Sequence, residues 1–360
     1  MKSTTMTASG HQQPAAELWE AVLRFDERAA VTAVLGALED GLDVECVLLD
    51  VIAAVQRRVG EEWAANRLSV SQEHAATAIN ERAVAALARH PRSRTSPIRG
   101  RLTVACVDGE WHSLPARLLA EVLTSRGWRV DYLGSQVPTP HLIAHLHRTG
   151  PDAVALSSSI ATRLPTAHAT ITACQAVGVP VMVGGAAFGA DGQYARLLGA
   201  DAWAADARTA ADDLARNPLA RPRPGHQAID DLPHLADQEY TLVARTRRDL
   251  VRTVFAGLEG AFPAMLGYTE AQRERTAEDL AHIVEFLATA LYTDDPELFS
   301  RFLRWTAGVL STRGVPARSL LPALDLLGRE LKDFPRATGM LHTGAAALNR
   351  TPVTASGTAQ

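Results

Sequence analysis

Between residues 101 and 206, five short β-rich runs alternate with helical stretches. The runs are RLTVACV, RVDYLG, DAVALSS, VPVMVGG and DAWAA. PARLLAEVLTSRG, TPHLIAHLHRTG, LPTAHATITACQAVG and ADGQYARLLG lie between them. Strand and helix at this spacing predict a parallel sheet covered by helices on both faces. In such sheets ligands collect at the carboxyl ends of the strands. That places any site in the loops after the strands.

The flanking segments are different. Residues 16–90 are rich in Ala, Leu and Val with helical periodicity, and predict a bundle of four helices. Asp26 is placed to cap ERAAVTAVLGALEDG, and Ser69 with Gln72 makes a capping box for the last helix. Residues 91–100 and 207–235 are expected to be linkers from their Pro, Arg and Ser content, and residues 1–15 a disordered N-terminus. Residues 236–350 are helical again. Thr269 with Gln272 caps one helix, and Asp295-Pro296 starts another that Gly314 ends. The fold class is therefore α/β plus all-α.

A net charge of −4 gives no general attraction to nucleic acid or an anionic membrane. No apolar run is long enough to span a bilayer, and the first residues lack the order of a signal peptide. A cytoplasmic protein is expected. Cys46, Cys106 and Cys174 are too far apart in sequence for a disulfide framework or a zinc site. His141, His145 and His147 have partial zinc spacing, but they alternate with Leu142, Ile143 and Leu146. They are expected to face solvent on a crossover helix.

After the first strand comes VDGEWHSLPARLL, residues 107–119. It carries His112 in a loop where ligand groups gather, and Glu110 two residues earlier. A carboxylate accepting one ring N–H fixes the tautomer and makes the other nitrogen a better metal ligand. The order is a helical bundle, Glu-x-His-x-x-Pro after the first strand, Ser157 after the third, and Gly184-Gly185 after the fourth. It resembles the cobalamin-binding domains of the methionine synthase type, whose motif reads Asp-x-His-x-x-Gly, Ser-x-Leu, Gly-Gly.

The resemblance implies a Rossmann-like domain in which the nucleotide tail of cobalamin leaves the cobalt and threads beside the sheet. His112 would be the lower cobalt ligand with Glu110 as its partner. Ser157 would bond the buried base, and Gly184 and Gly185 would let the backbone approach the tail. Three positions depart from the pattern. Glu110 stands for Asp, Pro115 for Gly, and Ser159, within the same site, for Leu.

Trp63, then nine residues, then Glu73-His74 is similar to the light-sensing cobalamin family, which holds adenosylcobalamin beneath such a bundle. The similarity implies that Trp63 covers the adenosyl group, Glu73 hydrogen-bonds it and His74 lines the same pocket. In those relatives a histidine follows the Trp and takes the upper cobalt position after light. Here the residue is Ala64, which leaves His74 or water for that role.

The stretch RTAEDLAHIVEFLATALYTDDPELFSRFLRWTAGVLSTRG, 275–314, resembles a globin or phycobiliprotein bundle. A cobalamin domain joined to such a bundle resembles the photocobilins, which add biliverdin. That implies His282 near the pyrroles on an apolar helix face, and Arg301, Arg304 and Arg313 near the propionates. Haem is the rival ligand. Residues 236–350 contain no cysteine, so a bilin is expected to be bound non-covalently.

No cyclase, kinase or phosphatase motif is found, and no enzyme is expected. The implied output is a light-dependent homo-oligomer, without direct DNA binding, acting on an unknown downstream partner. The rivals are a corrinoid methyl carrier and a cofactor-free scaffold.

Overall fold

In the computed structural model, residues 10–93, 95–222 and 232–350 are described. The chain divides near residue 230 into two compact units.

The first unit opens with helices α1 (Gln12–Leu23) and α2 (Glu27–Glu39). The next rod is built of α3 (Val44–Cys46), a π-helical segment Val47–Ile52, and α4 (Ala53–Ala64). α5 (Val70–Arg89) completes the four-rod bundle. The caps are those the sequence predicts. Asp26 accepts from the Ala29 N–H at 2.9 Å, and the Ser69–Gln72 capping box is closed. Leu18, Val34, Val51, Ile52, Val59 and Val84 fill the bundle interior.

One expected boundary moves. α1 begins at Gln12, inside the stretch read as a disordered 1–15; residues 1–9 lie outside the described chain.

The sheet consists of β1 (Arg101–Cys106), β2 (Arg129–Gly134), β3 (Ala153–Ser157), β4 (Val181–Gly184) and β5 (Ala202–Ala204). Their order is β2-β1-β3-β4-β5, and every pairing is parallel. The crossovers are α6 (Leu114–Ser125), α7 (Thr139–Thr149), α8 (Leu164–Ala176) and α9 (Gln193–Leu197). Between β1 and β3 the strand order reverses. The crevice at their carboxyl ends is where a fold of this order offers a ligand site.

α10 (Ala207–Arg216) corrects the expected linker at 207–235. Asp206 caps it by accepting from the Thr209 N–H at 2.7 Å, and its face of Ala210, Ala211 and Leu214 is buried. Its alanines, leucine and Asp206 cap favour a helix, and packing against α6 covers the apolar face. Residues 223–231 of that linker lie outside the described chain.

Side-chain hydrogen bonds tie the bundle to the sheet domain. Arg126, directly after α6, grips Glu45 of α3 with two bonds of 2.8 and 2.9 Å. Arg208 of α10 reaches the same carboxylate at 2.8 Å and Asp50 at 3.0 Å. Along α5, Glu81 accepts from the Ser113 hydroxyl at 2.7 Å, one residue beyond His112.

The second unit is helical. It contains α11 (Glu239–Ala261), α12 (Glu270–Thr293), α13 (Pro296–Thr312), α14 (Leu321–Glu330) and α15 (Pro335–Arg350). Leu280, Ile283, Leu287, Phe299 and Leu303 are buried in it. No helix among the described residues is long and apolar enough to cross a membrane.

Candidate functional site

The loop from β1 to α6 carries Glu110 and His112, and the loop after β3 closes over them. Glu110 is 1% exposed. Its Oε1 accepts from the His112 backbone N–H at 2.9 Å and lies 2.6 Å from His112 Nδ1. Its Oε2 accepts from the Ser158 hydroxyl at 3.1 Å and from the backbone N–H groups of Ser159 at 2.6 Å and Ile160 at 3.2 Å. One buried carboxylate thus ties together the two loops that border the crevice.

Burial is the largest influence on the Glu110 pKa and pushes it up. The hydrogen bonds from the His112 ring, the His112 N–H and the Ser159 N–H together outweigh it and hold the group at about 2. The His112 pKa is raised, first by its bond to Glu110, against burial, with smaller help from the charges of Glu110 and Glu73. The influence of Glu73 brings the N-terminal end of α5 into the electrostatic field of this loop.

With Nδ1–H directed at Glu110, the lone pair of the neutral imidazole sits on Nε2. The His112 side chain is 54% exposed. This is the donor arrangement of a metal-ligating histidine with its orienting carboxylate. Glu110 thus meets both the ring and the backbone N–H of His112.

The other expected residues fall as follows. Ser157 ends β3, opposite Cys106 and Gly184, and is buried. Ser159 supplies its backbone N–H to Glu110. Gly184 lies 3.2 Å, measured from an added Cβ, from the Ala204 carbonyl oxygen. At Gly185, φ is +99° and an added Cβ would lie 2.2 Å from the Ser158 carbonyl oxygen. The need for glycine there comes first from the chain itself, because no side chain fits between the β4 and β3 loops.

Two residues escape the sequence reading. Ser158, fully buried, bonds Glu110 with its side chain. Trp111 is 70% exposed beside His112. Ser158 is hidden in a run of three serines, where only the loop geometry says which hydroxyl turns inward. Trp111 was legible as a large apolar residue in a ligand loop.

On the bundle side, Trp63 in the last turn of α4 is half-buried against the bundle interior. Glu73 in the first turn of α5 accepts from the Thr77 hydroxyl at 2.9 Å and meets His74 Nδ1 at 2.5 Å. The His74 side chain is 74% exposed.

The C-terminal candidates need correction. His282 was expected on an apolar face of α12, but it is exposed; the neighbouring Ile283 and Val284 are the residues that turn inward. Its charge acts on the carboxyl of Asp279, one turn earlier on α12. Arg301 and Arg304 are exposed on α13 and paired locally with Asp295 and Glu297. One turn beyond His282, Phe286 stacks on Phe302 with 3.8 Å between ring centroids and 7° between planes.

His145 also departs from expectation. It turns toward the sheet and meets Asp131 at 3.1 Å, and Asp131 also binds Arg101. Among the described residues no group of three His, Cys, Asp or Glu side chains is arranged to hold a metal ion. Cys106 and Cys174 are buried and Cys46 half-buried, and burial pushes each thiol pKa up.

Residues 100–215 match a family described as "B12 binding domain", and residues 14–88 match a second family of the same description. The chain is 30% identical over 191 residues to the HTH-type transcriptional repressor CarA of Myxococcus xanthus. That match covers 50% of this chain and 62% of the repressor, so this chain spans less than two thirds of that relative. It is 25% identical over 197 residues to the trimethylamine corrinoid protein of Methanosarcina barkeri, covering 53% of this chain and 90% of that one. Among solved structures, the monomethylamine corrinoid protein of Methanosarcina barkeri aligns with a TM-score of 0.49 at 20% identity. It covers 56% of this chain and 97% of its own.

Proposed function

We propose, from two B12-binding segments lying in one compact unit, that this chain is a light sensor holding adenosylcobalamin between its N-terminal bundle and its sheet. The observation that carries the reading is the Glu110–His112 pair at the reversal of strand order. Its donor set fits a cobalt ion. Nδ1 is held by a buried carboxylate, and Nε2 is left as the coordinating nitrogen.

Bound adenosylcobalamin would supply a cobalt–carbon bond that visible light cleaves. His112 would hold the cobalt, and Glu110 would keep the ring in one tautomer. Trp63 would cover the adenosyl group, Glu73 would accept from its hydroxyls, and His74 would border the same space. Ser157 and the Gly184-Gly185 backbone would border the nucleotide tail. The output would be a change in how the bundle packs on the sheet domain, and with it the oligomeric state. The chain would act as a cytoplasmic regulator and not as an enzyme, passing its signal to a partner protein.

The test is an absorption spectrum of cobalamin-loaded protein before and after green light. No light-dependent change would end the sensor reading. His112→Ala is expected to weaken cobalamin binding about tenfold and to remove the spectral signature of a histidine-ligated cobalt. Unchanged affinity and an unchanged spectrum would refute its role.

A methyl-carrier reading is favoured by one observation, the match to a corrinoid protein over 90% of that protein's length. Tighter binding of methylcobalamin than of adenosylcobalamin would support it.

The second proposed chromophore is biliverdin, held without a covalent link in the C-terminal unit. Its support is the Phe286–Phe302 stack, an aromatic surface shared by α12 and α13 of the C-terminal unit, and the absence of cysteine from residues 236–350. After acid denaturation, a zinc-fluorescent band migrating with the polypeptide would refute non-covalent binding. A Soret band in place of far-red absorption would indicate haem.

A further inference from the structure

Beneath Trp63 and Glu73, the α4–α5 interface carries a ladder of polar side chains. Gln56 is seven residues before Trp63 on α4, so the two share a face. Glu73, Thr77 and Asn80 share a face of α5 in the same way. The Asn80 amide donates to Gln56 Oε1 at 2.8 Å. The Gln56 amide donates to Thr77 Oγ1 at 2.7 Å. The Thr77 hydroxyl donates to Glu73 Oε1 at 2.9 Å.

Every bond in this chain runs toward the carboxylate. The ladder ends on an unmet group. Asn80 is completely buried, and its Oδ1 has no hydrogen-bond partner. Reversing the amides would turn the Thr77 proton toward Gln56 and take it from Glu73. The ladder keeps an orphaned oxygen at its far end and delivers a donor to Glu73 at its near end.

We infer that Thr77, Gln56 and Asn80 are positioning residues that hold Glu73 as an oriented acceptor and so select an upper cobalamin ligand bearing hydroxyl groups. The inference rests on the adenosylcobalamin reading given above. With Oε1 engaged by Thr77, Oε2 is the oxygen presented to a ligand. Its present contact is His74, which is largely exposed and loses little by giving way. An ionised carboxylate accepts and cannot donate. A ribosyl diol satisfies it, whereas a methyl group offers it nothing.

The experiment is an absorbance titration of the full chain with adenosylcobalamin and with methylcobalamin. The proteins are wild type, Thr77→Val, Thr77→Ser and Gln56→Met. Thr77→Val keeps the shape and removes the proton donor. It is expected to weaken adenosylcobalamin binding roughly 5- to 10-fold while methylcobalamin binding stays within about twofold. Thr77→Ser restores the wild-type ratio, and Gln56→Met shows a smaller loss of the same sign. Methylcobalamin binding also reports that each variant is folded. Equal losses for both cobalamins, or no loss for either, overturn the positioning role while leaving the cofactor reading intact. A wild-type protein that binds neither cobalamin overturns both.

Discussion

Glu110→Gln is expected to lower the unfolding free energy by about 3 kcal/mol, since an amide leaves buried donors unmet at about 1–3 kcal/mol each. The carboxylate takes five donors on two oxygens. A glutamine has one acceptor oxygen, and its NH2 group would confront either the two His112 donors or the three from the β3 loop. The substitution also removes a pH dependence. Glu110 in the folded chain titrates at about 2, below its ordinary 4.5. A depressed pKa contributes stability that is present above pH 4.5 and lost as pH falls toward 2, to the extent of roughly 3 kcal/mol. His112 has the opposite sign. Its raised pKa contributes stability present below 6.5 and lost as pH rises through the folded value. Stability of the wild type is therefore expected to climb between pH 2 and 4.5 and to decline above 6.5. Urea unfolding of both proteins across this range checks it. An acid limb of equal size in Glu110→Gln would show that the loss belongs to other carboxylates.

The second large effect is expected at a residue that touches no titratable group. Gly185→Ala should cost roughly 3–5 kcal/mol, the sum of a left-handed backbone and an overpacked contact. The added Cβ would lie 2.2 Å from the Ser158 oxygen and 2.9 Å from its carbonyl carbon. Neither atom belongs to a flexible side chain, so the β3 loop must move. That loop brings the Ser158 hydroxyl and the Ser159 and Ile160 N–H groups to Glu110. The variant should therefore also lose cobalamin affinity, although residue 185 is far along the chain from His112. Chemical denaturation and cofactor titration measure the two losses. A variant within about 1 kcal/mol of wild type would mean that the two loops separate at little cost.

The signals that the sequence carried were local. Strand–helix alternation specified the parallel sheet because each run must bury a face that its neighbours can cover. Asp26, Ser69, Thr269 and Asp295 marked helix starts because capping bonds close within three residues. Glu110 and His112 were legible as a pair because two residues of loop suffice to bring a carboxylate to an imidazole.

Other features required the tertiary structure. For helix α10, only the structure shows that Ala210, Ala211 and Leu214 are covered by α6. His282 is expected on an apolar face, and only the packing of α12 decided that Ile283 and Val284 turn inward and His282 outward. The reason Gly185 must be glycine lies in Ser158, and the polarity of the Glu73 ladder lies in Gln56 on another helix. Such constraints are contacts between residues distant in sequence. Periodicity and capping rules sense one or two turns of chain, so what they determined here was which elements form, while tertiary packing decided which atoms of those elements meet.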